Sequence, residues 1–239
     1  FPADATVECD DVPGVQTDEI DYSDNCTDVT LAYDGEVRTD GDCDYNYTLV
    51  RTWTITDNCE NSTSMSQTIT VQDTTAPEFT FVPQDNEYSC EMTIPNTNAE
   101  ASDNCGDVTV TFEDAIIDGN CPQSYTIVRT FTATDECENS STAVQNIYVY
   151  DNTAPEFTFI AADVTIECDE AIPAADASAS DNCDLDVEIT VDEDTIDGNC
   201  PQTYTIVRTY TATDDCGNET TATQNINVQD TTAPVITGE

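Results

Sequence analysis

Three stretches of the chain carry the same alternation of apolar and polar positions: YTLVRTWTITDNCEN at 47–61, YTIVRTFTATDECEN at 125–139 and YTIVRTYTATDDCGN at 204–218. The first eleven positions are rich in Thr, Val, Ile and aromatic residues, with Tyr125, Ile127, Arg129 and Phe131 on one side of the alternation in the middle copy. That period of two, in residues that suit a pleated surface, predicts a half-buried β-strand. Each strand runs into Thr-Asp-x-Cys-x-Asn, a polar turn, and then into a second β-like run, at 141–150 in the middle copy. The pattern is a hairpin with an acidic tip. In the third copy it predicts further strands at 156–160, 164–168 and 187–191, an acidic loop at 192–199, and hairpin strands at 203–213 and 220–229. No segment shows a helical period. Short strands without helices predict an all-β chain, with each repeat a β-sandwich of immunoglobulin-like type.

The punctuation repeats as well. Asp73-Thr-Thr-Ala-Pro, Asp151-Asn-Thr-Ala-Pro and Asp230-Thr-Thr-Ala-Pro follow the three hairpins, and Arg51, Arg129 and Arg208 recur at spacings of 78 and 79. This is a tandem array. The expected modules are 1–75 (lacking its first strand), 76–153 and 154–232. Residues 233–239 are expected to be the first strand of a following module or a donor strand. The start of the chain, 1–9, aligns with 160–168, inside a repeat. Two explanations fit: an excerpt of a longer array, or a subunit whose spare strand completes the next subunit by strand addition.

Charge narrows the partners. Fifty acidic residues stand against four basic ones, for a net charge of −46, with no lysine or histidine. A polyanion of this kind does not bind nucleic acid, and its self-repulsion calls for counter-ions. Arg51, Arg129 and Arg208 lie mid-strand among apolar neighbours and are expected to pair with carboxylates. No apolar run is long enough to span a membrane, which with the absence of a leader pattern points to secreted or cell-surface material.

Twelve cysteines fall four to a repeat: 9, 26, 43, 59; 90, 105, 121, 137; 168, 183, 200, 216. An even count at repeating spacing predicts disulfides in an oxidising compartment, two per module. Without histidine or a CxxC pair, structural zinc is disfavoured. Cys200 and Cys216 bracket a strand of roughly 11 residues, about 36 Å long, and so cannot bond to each other. Other pairings stay open on spacing alone.

The phrases SDNC, YTIVRTFTATDECEN and DTTAP resemble the HYR-type and related immunoglobulin-like repeats of Bacteroidetes secreted surface proteins, the large gliding adhesins among them. The VYDNTAPEF linker also resembles the acidic linker of cadherins. The resemblance covers all three repeats and implies a stalk, adhesin or filament of sandwich domains. In such a sandwich the first and third cysteines share one pole and the second and fourth the other. The implied pairs are Cys9–Cys43, Cys26–Cys59, Cys90–Cys121, Cys105–Cys137, Cys168–Cys200 and Cys183–Cys216. The Asp-Thr-Thr phrase is similar to a Bacteroidetes O-glycosylation motif, which makes Thr74 and Thr231 candidate glycan carriers.

The same topology gathers oxygen ligands at the module junctions. Junction one takes Asp73, Asp103, Asn104, Asp135 and Asn139, and junction two takes Asp151, Asp181, Asn182, Asp214 and Asn218. The first repeat offers Asp24, Asn25, Asp57 and Asn61, and Asp230 would serve a following module. Converging carboxylates and amides suit structural Ca²⁺. These residue types also favour tight turns on their own account; their recurrence and the need to neutralise charge favour calcium. Two function classes follow: a calcium-rigidified stalk or filament whose partners are neighbouring repeats or other copies of the chain, and an adhesin recognising surface glycans or proteins. An enzyme is not expected, since there is no histidine, no lysine, no cysteine expected to be free and no unique cluster that breaks the repeat.

Overall fold

The computed structural model describes every residue except Glu19, Thr27, Gly238 and Glu239. Its described residues form sixteen β-strands and no helix. The first repeat contains β1 (Ala5–Glu8), β2 (Val29–Asp40), β3 (Tyr47–Asp57) and β4 (Ser62–Gln72). The second contains β5 (Glu78–Phe81), β6 (Asn86–Ser89), β7 (Glu100–Ser102), β8 (Thr109–Asp118), β9 (Tyr125–Thr134) and β10 (Ser140–Tyr150). The third contains β11 (Glu156–Ile160), β12 (Val164–Glu167), β13 (Ala177–Ser180), β14 (Glu188–Asp197), β15 (Tyr204–Thr213) and β16 (Glu219–Gln229).

One strand order recurs in three four-stranded sheets: β1-β4-β3-β2, β6-β10-β9-β8 and β12-β16-β15-β14. The short first strand of each sheet runs parallel to the last, as in Val164↔Ile226, while the hairpin is antiparallel, as in Tyr204↔Val228. The second and third repeats add a two-stranded sheet, β5-β7 and β11-β13. By contacts the chain gathers into two compact units: Phe1–Gln84 with Asn96–Asp114 and Arg129–Gln145, and Asp85–Pro95 with Ala115–Val128 and Asn146–Glu239. The first unit contains the Asp73–Pro77 linker and the second the Asp151–Pro155 linker together with the Asp230–Pro234 phrase, so each unit holds one linker between two repeats.

The core is small and comes from the inward face of the hairpins. Leu49, Ile69 and Val71 are buried together in the first repeat, and Ile166, Ile206, Ile226 and Val228 in the third. Arginine occupies the same face, since Arg129, Phe131 and Ala133 alternate as buried positions on β9. A guanidinium tolerates that environment only when paired. The pairs are Arg51–Glu36 at 2.7 Å, Arg129–Asp114 at 2.8 Å and Arg208–Glu193 at 2.5 Å.

Two expectations are corrected. The stretch 192–199 is not simply a loop, because β14 continues through Asp197 and stays paired with β15 along its whole length, from Glu188↔Thr213 to Asp197↔Tyr204. Its outer half is charged because it is an edge strand, where acidic side chains discourage further pairing. The second correction concerns the disulfides, which cross between repeats instead of closing within them. Cys9 bonds Cys105, Cys43 bonds Cys137, Cys90 bonds Cys183 and Cys121 bonds Cys216, with Cα–Cα distances of 5.9, 5.3, 6.0 and 5.0 Å.

None of the implied pairs Cys9–Cys43, Cys26–Cys59, Cys90–Cys121, Cys105–Cys137, Cys168–Cys200 or Cys183–Cys216 is formed, and Cys26, Cys59, Cys168 and Cys200 are free and exposed. The register explains the outcome. Glu8 pairs with Gln72 and Tyr47 with Val71, which places Cys9 and Cys43 at the pole where the chain leaves the repeat. Val29 pairs with Asp57, which places Cys26 and Cys59 at the opposite pole. The cysteines share poles as the resemblance implied. Their partners, however, are the entry-pole cysteines of the next repeat.

Candidate metal centre

Each junction gathers three aspartates. Asp73, Asp103 and Asp135 place a carboxylate oxygen within 4.8 Å of one another, and so do Asp151, Asp181 and Asp214. One comes from the linker, one from the Ser-Asp-Asn-Cys turn and one from the hairpin tip. All three positions are built by Asx turns, in which the carboxylate accepts hydrogen bonds from backbone N–H groups just ahead of it. Asp103 accepts from Cys105 N at 2.8 Å and Asp181 from Cys183 N at 2.8 Å. Asp73 and Asp151 accept from the N–H groups of Thr75 and Thr153, both at 3.2 Å. At the tips, Asp135 accepts from the backbone N of Asn139 at 2.9 Å, and Asp214 from that of Asn218 at 2.8 Å.

The turn bonds occupy one oxygen of each linker and Ser-Asp-Asn-Cys aspartate and leave others bare. Asp103 Oδ2, Asp151 Oδ2 and Asp181 Oδ2 are buried without a hydrogen-bond partner. Asp73, Asp135, Asp151 and Asp214 are themselves buried. Burial pushes the Asp73 carboxyl above its ordinary range, and the neighbouring Asp103, Asp135 and Glu8 push it the same way. Asp151 is raised likewise, by burial first and then by Asp181, Asp214 and Asp184. The arginines are engaged elsewhere by Glu36, Asp40, Asp114 and Glu193. Three converging carboxylates with bare buried oxygens fit a hard, oxygen-liganded divalent cation.

The asparagines take other roles. Asn139 Nδ2 donates to Asp135 Oδ2 at 2.9 Å and to the Asp73 carbonyl at 3.2 Å; Asn218 makes the matching bonds to Asp214 at 2.8 Å and Asp151 at 3.3 Å. These two residues clamp the hairpin tip to the linker. Asn104 and Asn182 turn instead towards sulfur, with Nδ2 3.1 Å from Cys105 Sγ and from Cys183 Sγ. Spacing alone gives no signal for that difference.

The first repeat carries two of the three acids. Asp24 and Asp57 line one recess with Asn61, and each accepts from the cysteine two residues ahead, Cys26 or Cys59, at 2.8 Å. Here the Asn61 amide holds Asp57 below the ordinary carboxylate range. No three-residue cluster among the described residues includes Asp24 or Asp57; Asn25 is exposed beside them. Asp230 forms the linker turn, accepting from Thr232 N at 3.1 Å, and is exposed. Thr74 and Thr231 are exposed too, with their hydroxyls donated to Glu8 and Glu167.

No protein-family model and no curated protein matches the chain. Among solved structures, it is similar to the Drosophila N-cadherin EC1-4 crystal structure at 15% identity and TM-score 0.36, covering 96% of this chain and 74% of that one. The Drosophila N-cadherin EC1-3 structure matches at 16% identity and TM-score 0.37, covering 96% of this chain and 99% of that one. The human desmocollin-1 ectodomain matches at 11% identity and TM-score 0.29, covering 95% of this chain and 60% of that one. The likeness is loose over its whole length.

Proposed function

We propose that this chain is an extracellular structural repeat protein, an array of three immunoglobulin-like modules stiffened at its junctions by Ca²⁺, and that it serves as a stalk or filament subunit. The observation that carries this reading is the pair of buried aspartate clusters, Asp73/Asp103/Asp135 and Asp151/Asp181/Asp214, each beside two disulfides that cross the same junction. A cation there would relieve the repulsion of three carboxylates, and the disulfides would keep the two sides from separating. Asp103 and Asp181, with the two linker and two tip aspartates, would be the ligands; Asn139 and Asn218 would hold the tips in place. The disulfides support an oxidising, secreted or surface location.

End-to-end growth belongs to the same reading. Residues 231–237 are exposed and form no strand, and Val235 and Ile236 are 81% and 97% accessible. They align with Glu78 and Phe79 at the start of β5, so a following repeat, in the same chain or in another copy, would take them as its first strand. An adhesin that binds glycan or protein is the second reading, in keeping with the surface-repeat resemblance; the stacked Tyr148 and Tyr150 rings, 6.3 Å apart, set the second repeat apart from the other two for it.

Small-angle scattering with calcium and then with excess chelator tests the proposal. A shorter maximum dimension and a broader profile after chelation support metal-stiffened junctions. Coincident curves, with no calcium bound by calorimetry, would reduce the clusters to turn-forming residues.

A further inference from the structure

The three repeats differ at one corner. At the outward-facing end of the parallel strand pair, the first and third repeats place a glutamate opposite a glutamine, Glu8↔Gln72 and Glu167↔Gln229. Each glutamate accepts hydrogen bonds from the linker threonine, Glu8 from the hydroxyl and N–H of Thr74 and Glu167 from those of Thr231. The second repeat lacks this lock. Its matching residues are Ser89, Tyr150 and Asn152. Two residues earlier, Tyr148 and Glu87 stand where the other repeats pair Thr70 with Thr6 and Asn227 with Thr165.

We infer that this corner of the second repeat is a saccharide site, with the Tyr148 and Tyr150 rings as the platform for the apolar face of a neutral sugar ring. The inference rests on the adhesin reading above and gives it a place in the fold. Without the glutamate–threonine lock, Glu87, Tyr88, Ser89, Tyr150 and Asn152 line an open recess of about 140 Å³. That is small beside the roughly 300–1,000 Å³ of sites for drug-sized ligands, so it suits one sugar ring and not a helix or a folded partner. Tyr148 and Tyr150 project outward on either side of the buried Val149, with rings 7° from parallel and centroids 6.3 Å apart. Tyr150 is 42% exposed. Such rings offer an apolar face and a hydroxyl at once.

The surrounding groups suit a polyol. The Glu87 carboxylate accepts hydrogen bonds, the Asn152 amide donates and accepts, and the hydroxyls of Ser89 and the two tyrosines do either. Among the described residues, Glu87, Asn152, Tyr148 and Tyr150 make no side-chain hydrogen bond, which leaves those groups to a ligand. The platform is held still. β6 and β10 pair from Ile147↔Asn86 to Tyr150↔Ser89, the Tyr150 carbonyl accepts from Cys90 N at 3.0 Å, and Cys90 is bonded to Cys183. A site on paired strands keeps its geometry without a loop closing over it. Glu87 and the net charge of −46 repel sialylated or sulfated sugars, so the ligand is neutral.

The test probes an array of neutral, sialylated and sulfated glycans with the full chain in calcium. Neutral glycans should be retained and the anionic ones not. Saturation-transfer NMR with the methyl glycosides of glucose, galactose and mannose should show transfer from aromatic protons to at least one sugar. Two variants copy residues that the other repeats already carry, and so keep the fold. Y148T/Y150Q removes the platform, while S89E/N152T restores the glutamate–threonine lock and closes the recess with both tyrosines in place. Each should weaken binding by about tenfold or more, with an unchanged melting temperature and disulfide map. Retention of anionic glycans alone would overturn the inference. If both variants bind as the wild type does, this site falls and the adhesin reading stands. If the wild type retains no glycan, both fall, and the calcium-stiffened stalk is judged separately by its calorimetry.

Discussion

Cys43, the third cysteine of the first repeat, is bonded to Cys137, the fourth of the second, across a separation of 94 residues. A repeat stapled to its neighbour cannot hinge freely at the linker, whatever its own core contributes. The prediction is direct: peptide mapping of the unreduced protein should recover Cys43–Cys137 and Cys9–Cys105 peptides, and none joining Cys9 to Cys43. Replacing the pair as C43S/C137S should lower the stability of the first unit by about 2–4 kcal/mol, read by denaturant unfolding, because a long loop of unfolded chain is no longer closed.

The junction acids predict a countable response to metal. With both clusters intact, calorimetry should find at least two calcium sites, and Asp135→Asn should remove one while leaving that of Asp151, Asp181 and Asp214 unchanged. In chelator the sign reverses. The same substitution should then raise the melting temperature, since it removes one of three crowded charges from a site that no longer holds a cation. A fall in both conditions would show that Asp135 matters only for its turn.

Asp114 and Arg129 make a bidentate pair at 2.8 Å in both bonds, with the arginine buried. Those bonds hold Asp114 below the ordinary carboxylate range. A carboxyl whose folded pKa is depressed contributes stability above its unfolded pKa of about 4, and that stability is lost as pH falls through the lower folded value. Asp114→Asn should therefore cost about 1–3 kcal/mol near neutrality by stranding a buried guanidinium. The gap from wild type should close as the pH drops below about 4. A gap independent of pH would assign the cost to packing.

The hairpin tips offer a stabilising change. Gly217 has φ +84°, and Glu60 and Glu138 occupy the matching positions at +68° and +70°. Left-handed backbone costs a residue with a Cβ roughly 1–2 kcal/mol, part of which glycine returns through its greater unfolded freedom. Glu138→Gly should gain on the order of 0.5–1 kcal/mol in thermal unfolding. A loss would mean that the Glu138 side chain contributes more than its backbone costs.

Much of this was legible along the chain. Period-two alternation placed β9, β15 and their hairpin partners because local sterics and one-sided burial act on neighbouring residues. It also placed Arg129 on the inward face. The three-acid convergence was readable because Asx turns are local and the topology brings the turns together. The full reach of β14 was not. Its acidic outer half reads as loop until β15 is known to pair with it residue for residue, and edge position then explains the charge.

The cysteines mark the division most clearly. Sequence alone determined that they lie four to a repeat and that Cys200 cannot meet Cys216, since a strand of fixed rise separates them. It could not determine the partner of Cys43, because Cys9 of its own pole and Cys137 of the next repeat both satisfy every local constraint. A disulfide forms only where two sulfurs are brought to bonding distance in the right orientation. That depends on how the exit pole of one repeat meets the entry pole of the next, which is a property of the tertiary structure alone.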